Sequence, residues 1–469
     1  MKYYHKVWAL LFFAWMFSYI DRSVTGPVVS WMIKNKVEFF ASAGIPHALG
    51  GLIGAMFFAG YMLTQFPAGY LGDRYGRKAL IVISTVWAGI ATFISGIAGS
   101  LSVFIASRVL TGLGEGAYYS NDRALIAEVT PKKERALGMG IVFVGLAAGL
   151  TFATVLAPAI IEWAAAIGPF FSWRSPFLVF SIPTVLTGLL IFSLVKGDKR
   201  DNYKAALKYL AKYSAVFFII IMAIYVGTVY LNETFSWDKF HLQLIQSASL
   251  TAVAIALIGI IYKRLGNSLR PILADRNLIV MYISAVPILY TLWFFGFWMV
   301  LLFSDASKIG LTSAALYAGI FGVANAIGYP LGGKLSDFAV SRGLGRRKIY
   351  MALALMASLM TFFLGYYILN NGSDLVILAV ISFFIGLPFS AMQTVHMALT
   401  ADLSPEKLRA QAFGMWNLVA EIGAILSPLI TGILRDITGS WAAAVYSSAI
   451  LLAISAALLF FVREKPGEP

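Results

Sequence analysis

Gly69-Tyr-Leu-Gly-Asp73-Arg74-Tyr-Gly76-Arg77-Lys78 closes an apolar run that begins near residue 48. A near copy closes another run. Gly332-Gly333-Lys-Leu-Ser-Asp337 ends a stretch beginning near 312, and Gly345-Arg346-Arg347-Lys348 follows. Each copy joins small residues to an acid and a basic cluster, and each follows the second apolar run in a set of six. A single such cluster is ordinary decoration of a membrane-protein loop. Two copies in matching positions mark an internal repeat. Asp73 and Asp337 are 264 residues apart. Removing an insertion of about 75 residues, 201–275, leaves about 190, the length of the first six runs.

The rest of the chain fits a polytopic membrane protein. Of its 469 residues 59% are hydrophobic and only 12% charged, with a mean hydropathy of +0.80. Soluble proteins carry about 25% charged residues; half that number cannot coat a water-facing surface. A span needs about 20 mostly apolar residues. Six such runs lie near 7–32, 48–71, 79–99, 101–127, 137–166 and 175–195. Two follow near 213–232 and 242–262, then six more near 278–303, 312–336, 348–369, 374–401, 408–435 and 439–462. The expected fold is therefore all-α, with about 14 transmembrane helices. Residues 1–200 form an N-terminal six-helix half, 201–275 linkers and an inserted helical pair, and 276–469 a C-terminal half.

Basic residues test that map independently. With the N-terminus placed in the cytoplasm, alternate loops carry 27 Lys and Arg against 6 on the other face. That asymmetry puts both termini in the cytoplasm of an inner or plasma membrane. It also accounts for the net charge of +14 without nucleic acid, since the basic residues sit between apolar runs. The first run is too long for a secretory signal and contains Asp21-Arg22. No cysteine is present, and four scattered histidines suggest neither a metal site nor a cofactor.

Ionisable residues inside spans are costly and mark function. Asp21 and Arg22 fall in span one, and Arg108 and Glu115 in span four, with Asn121-Asp122-Arg123 near its end. Arg108 and Glu115 are seven apart, which puts them on one helical face with Thr111, Gly112 and Gly116 nearby. Small residues there suit a face that lines a cavity. Asp122 and Arg123 read more simply as a pair locking helices near the basic interface. The second half has almost no counterpart, with only Glu421 deep in a span and Asp402 near a helix end; His396 reads equally as core or as site.

With these residues in view, Gly69–Lys78 resembles the signature loop of the major facilitator superfamily, whose two six-span halves flank a central pathway. The resemblance implies that Gly69, Asp73, Arg74, Gly76, Arg77, Lys78 and Asp337 form a cytoplasmic latch that stabilises the outward-open state. One branch is similar in more detail, the anion:cation symporters of sugar acids and other organic anions. Tyr19-Ile-Asp21-Arg22, Gly60-Tyr61 to Gly69, Arg108 to Gly116, Lys133-Glu134-Arg135, Ser172-Trp173-Arg174, Ser341-Arg342-Gly343 and Gly423 to Trp441 all fit it. By that resemblance Asp21 and Glu115 carry the proton, with sodium an open alternative. Arg22 and Arg108 would meet the substrate carboxylate, with Arg108 the main clamp. Tyr19, Tyr61 and Asn417 would meet its polar groups, and Thr394, His396 and Glu421 complete the substrate set. The inserted pair departs from the branch, as do Met397 where an aromatic is usual and a fifth span reading Ile141-Val-Phe-Val-Gly145-Leu, which lacks the polar side chain some members use. Peptide transporters carry such a pair, but their Glu-x-x-Glu-Arg is missing from span one. The Gly-Pro-x-x-Gly-Gly of proton/drug antiporters is missing from span five.

The implied chemistry is competition. Two unit charges about 4 Å apart attract by roughly 4 kcal/mol at an effective dielectric of 20. A substrate carboxylate that takes the arginine leaves Asp21 or Glu115 unpaired, and the acid then takes up a proton. The expectation is a monomeric secondary transporter of a small organic anion in the lipid bilayer. An exporter or exchanger of amphipathic solutes is the alternative. A membrane-embedded enzyme or receptor is remote, since no metal spacing, GxSxG or phosphate loop is present.

Overall fold

The structure is a computed structural model that describes residues 2–41, 43–131, 134–235 and 239–464. Lys132, Lys133 and Lys465, counted above among the basic loop residues, lie outside the described residues, as do the side chains of Arg135 and Lys239. Every regular element among the described residues is helical. A chain segment surrounded by lipid must satisfy its own backbone donors and acceptors, and a helix does so within one segment.

Contacts divide the chain into two compact units, Met1–Leu250 and Thr251–Pro469. The first contains α1 (Tyr3–Ser23), α2 (Thr25–Lys34), α3 (Glu38–Ala41), α4 (Pro46–Tyr75), α5 (Arg77–Gly96) and α6 (Leu101–Glu115). It continues with α7 (Tyr119–Val129), α8 (Arg135–Ile167), α9 (Ser175–Leu194) and α10 (Tyr203–Phe235). The unit boundary falls within α11 (Lys239–Leu273). The second unit then runs through α12 (Arg276–Ser307), α13 (Leu311–Ala318), α14 (Ile320–Ser341), α15 (Arg346–Leu369), α16 (Leu375–Leu403), α17 (Arg409–Thr438) and α18 (Ala442–Leu458).

Among the described residues 13 helical segments are long and apolar enough to cross a membrane. The expected span near 101–127 is the one that differs. It is two short helices, α6 and α7, and neither alone reaches the length of about 20 residues that a crossing needs. Between them Ala117 N donates to Gly114 O at 3.2 Å and Tyr118 N to Glu115 O at 3.0 Å. These i→i−3 bonds tighten the chain just after Glu115. Apolarity alone does not encode such a break.

The repeat read from the two loops reappears as a repeated pairing of helices. In the first unit α1 packs on α8, α4 on α6 and α5 on α9. In the second unit α12 packs on α17, α14 on α16 and α15 on α18. Each unit thus joins its first span to its fifth, its second to its fourth and its third to its sixth. The inserted α10 lies along α4 and touches α5 and α6. Only 22% of its apolar window is buried.

Small residues bring the paired helices together, as is usual where no water drives association. A Cβ on Gly112 would stand 2.0 Å from Phe57 O and 2.9 Å from Tyr61 N on α4. Gly332 has the same relation to Ala391 O on α16, at 2.3 Å. The small face of α6 is therefore its seam with α4, which corrects the reading of Gly112 and Gly116 as cavity lining. Backbone atoms cannot swing aside, so Gly112→Ala should force α4 and α6 apart, costing about 1–3 kcal/mol. The expected result is a lower unfolding temperature and yield in detergent. Gly99→Ala, with nothing within 4 Å, should leave both unchanged.

Candidate functional site

The charged residues of the first unit gather where α1 gives way to α2. Pro27 has no amide hydrogen, which favours the break in the ladder there. Arg22 lies in the last turn of α1, and Glu115 is the last residue of α6. A carboxylate at a helix C-terminus faces the negative end of the helix dipole. Arg22 and Ser18 offset this. Arg22 Nη2 reaches Glu115 Oε2 at 2.7 Å and Nε reaches the same oxygen at 3.0 Å. Ser18 Oγ donates to that oxygen at 2.9 Å and accepts from Arg22 Nη2 at 2.9 Å. The side chains of Arg22 and Glu115 are both 2% exposed, so the two charges depend on each other. Tyr19 and Tyr61 present their rings to the guanidinium at 4.3 and 4.6 Å.

Asp21, one residue away, belongs to a different group. Its Oδ2 accepts from Thr184 Oγ1 of α9 at 3.1 Å, while Oδ1 is buried with no hydrogen-bond partner. Neighbours in a helix do not face each other, so Asp21 and Arg22 point apart. Arg108 is wholly buried and held by hydroxyls. It donates to Ser95 Oγ through Nε at 3.0 Å and Nη2 at 2.6 Å, and to Thr111 Oγ1 at 2.8 Å. Nη1 donates to the Asp21 carbonyl at 3.2 Å, at the junction of α1 and α2. Phe177 lies 4.9 Å from the guanidinium carbon. Arg22, Glu115, Tyr19 and Tyr61 are thus brought together, and Arg108 stands in its own pocket of α5, α6 and α9.

A further pair lies in α7, with Asp122 buried and Arg123 part-buried. Asp122 Oδ1 is 3.6 Å from Arg123 Nε, and Oδ2 accepts from Trp15 Nε1. Arg123 stacks over Phe143 at 4.0 Å. Trp15 also has Arg22 at 5.9 Å and Arg123 at 5.2 Å from its ring, which makes it a shared wall of both pairs.

In the second unit His396 is fully buried. Trp416 Nε1 donates to its Nδ1 at 2.9 Å, and its Nε2 is 2.9 Å from Ser284 Oγ. An indole can only donate, so Nδ1 accepts and the ring proton sits on Nε2. Both nitrogens are therefore satisfied by the helix core of α12, α16 and α17. His396→Leu should leave the Trp416 donor unpaired, costing about 1–3 kcal/mol. A lower unfolding temperature in detergent is expected. Thr394 Oγ1 donates to Tyr329 O at 3.1 Å, tying α16 to α14. Asn417 and Glu421 are buried four residues apart, on one face of α17.

The two signature loops make matching ion networks. Gly76 has φ +95 and starts α5. A Cβ there would meet Asp201 and its own backbone would be strained. Arg77 bridges Asp73 at 2.5 Å and Glu128 at the end of α7 at 2.9 Å. Arg346 bridges Asp337 at 3.1 Å and Asp402 at the end of α16 at 2.7 Å. Arg74 donates to Tyr70 Oη at 3.3 Å, and Lys78 lies over Phe192 at 5.4 Å. Gly69 faces Ser120 of α7. Glu128 escaped the sequence reading, as did Ser18, Trp15, Ser95 and Thr184. Glu128 and Asp402 share a place in the repeat, the far end of each unit's fourth span. That correspondence was the available signal.

The sequence matches the Major Facilitator Superfamily over residues 11–318 and 281–469. A "Probable anion transporter 6, chloroplastic" of Arabidopsis thaliana is 25% identical over 451 residues, 90% of this chain and 73% of that protein. The D-galactonate transporter of Escherichia coli O6:H1 is 26% identical over 448 residues, 94% of this chain and 92% of that one. The crystal structure of a D-xylose-proton symporter superposes with a TM-score of 0.69 at 15% identity, covering 99% of each chain. At that identity it speaks for the fold alone. Matching loops, the repeated helix pairing and the sequence match over nearly the whole chain agree: it belongs to the Major Facilitator Superfamily, as a multi-pass transporter and not an enzyme.

Proposed function

We propose that this chain is a proton-coupled symporter of a small organic anion, a sugar acid or another carboxylate, working by alternating access. Its termini and basic loops would face the cytoplasm of an inner or plasma membrane. The Arg22–Glu115 pair framed by Tyr19 and Tyr61 carries the reading. A guanidinium offers a planar fork that a carboxylate fits in bidentate fashion, and tyrosine hydroxyls suit a polyol chain. The D-galactonate relative supports the same substrate class.

In this reading Arg22 is the anion anchor and Glu115 its resident partner. An entering carboxylate displaces Glu115, which then takes up a proton, since a lone charge is costly in a dry site. Anion and proton thereby favour each other's binding, the thermodynamic basis of symport. Arg108 holds the α1–α2 junction, where Asp21 serves as a second proton carrier.

Purified protein in liposomes, given a panel of sugar acids, monocarboxylates and dicarboxylates, tests this. Accumulation of at least one sugar acid under an imposed pH gradient, collapsed by a protonophore, is expected. Uptake driven by a sodium gradient alone, or of neutral sugars only, would overturn it.

A further inference from the structure

The inserted α10 is amphipathic in an unusual way at its start. Lys204, Lys208 and Lys212 recur every four residues, so they form one stripe, and all three are exposed. Residues 203–232 contain no Asp or Glu to neutralise them. Of the nearby acids, Asp198 and Glu128 pair with Arg200, at 3.4 Å for the latter, and Asp201 accepts from the Asp198 amide at 2.8 Å through Oδ2. Arg200 holds the Asp198 carboxyl below its ordinary range. Tyr209 and Tyr213, 36% and 38% exposed, flank the lysines where the apolar stretch of the helix begins. Aromatic and basic residues at such a boundary belong at the headgroup level of a bilayer.

The other side of the same turns grips the signature loop. Ala206 and Leu210 are buried in a cluster with Ala68, Leu71, Ala79 and Leu80, the residues on either side of the loop. Tyr209 stacks on Tyr75, with ring centroids 5.3 Å apart and planes within 7°. Asn202 N donates to Tyr75 O at 2.9 Å, and Asp201 lies against Gly76. A rigid helix therefore connects the lysine stripe to the turn at Gly76 through two short lever arms.

We propose that Lys204, Lys208 and Lys212 form a binding face for anionic phospholipid headgroups, and that lipid on this face steadies the signature loop through α10. Charge complementarity selects the occupant. The stripe is cationic, makes no ion pair among the described residues, has the Tyr209 ring 6.0 Å from Lys208 Nζ, and stands at the foot of a helix whose remaining length is mostly unburied. This gives the first inserted helix a purpose independent of what the protein transports.

The test uses the full chain in phosphatidylcholine vesicles, with spin-labelled phosphatidylglycerol and phosphatidylcholine as probes. The wild type should prefer phosphatidylglycerol. The K204Q/K208Q/K212Q variant should lose that preference by about tenfold or more, since each lysine near an anionic headgroup contributes roughly a factor of five. The corresponding triple Lys→Arg variant should keep it, as should Lys348→Gln, which removes an exposed lysine elsewhere. The chain has no cysteine. A single fluorophore at Tyr70→Cys, 57% exposed beside the loop, should respond to added phosphatidylglycerol in the wild type and not in the triple Gln variant. An equal preference in the triple Gln variant, or an equal loss in Lys348→Gln, would overturn the lipid face. Displacement of the labelled lipid by inorganic phosphate would make it a site for free phosphate instead. A label response that survives the triple Gln substitution would remove the connection to the loop.

Discussion

Arg22→Gln should lower anion uptake by about two orders of magnitude, because truncating one member of a buried charge pair costs roughly 2–5 kcal/mol. Part of that loss is structural. Glu115 would remain 2% exposed with only Ser18 to hold its charge, and the folded state should lose about 3–5 kcal/mol. The double variant Arg22→Gln/Glu115→Gln separates the two effects. It removes both charges together, so thermal stability should recover towards the wild type while uptake stays lost. Arg22→Lys keeps a charge against Glu115 but lacks the planar fork. Stability close to wild type with weakened affinity for every transported anion is expected there. Unfolding temperatures in detergent and initial uptake rates in liposomes give both readings. Recovery of uptake in the double variant would remove Arg22 as the anchor.

Much of this architecture was legible because lipid imposes strict rules on sequence. Among the described residues thirteen of the fourteen runs are helices long and apolar enough to cross a membrane, and the paired loops at Asp73 and Asp337 give the repeat. What could not be read is how charges pair across helices. Asp21 and Arg22 are adjacent, which suggests a pair, yet one helical step turns their side chains apart. Glu115, 93 residues on, is the partner of Arg22. The setting of Arg108 was hidden for another reason. Ser95, Thr111 and Thr92, whose Oγ1 accepts from Arg108 Nη2 at 3.4 Å, can each satisfy a hydroxyl on their own helix, so they are inexpensive in a membrane and carry no signal in the sequence. Only in three dimensions do they converge on one guanidinium.

The same geometry changes which acid the proposed coupling would place beside the anion. On adjacency alone, Asp21 would be the acid that senses the anion at Arg22. Glu115 is the acid paired with Arg22, accepting from two of its nitrogens and from Ser18 on one oxygen. Glu115→Gln imitates the protonated acid and leaves Arg22 permanently available to the anion. Exchange of labelled for unlabelled substrate should persist, with tighter anion binding, while accumulation driven by a pH gradient is lost. Asp21→Asn acts elsewhere. It keeps the acceptor for Thr184 and leaves the Arg22–Glu115 pair intact, so anion affinity should change little. If Asp21 carries a proton, gradient-driven accumulation falls in this variant too, without the gain in affinity. The two signatures are therefore distinct, an affinity change with uncoupling for Glu115 and uncoupling alone for Asp21. Normal accumulation in the double variant would dismiss both carriers. Glu421 on α17 would then be the next acid to neutralise, because His396 is already committed at both nitrogens to Trp416 and Ser284.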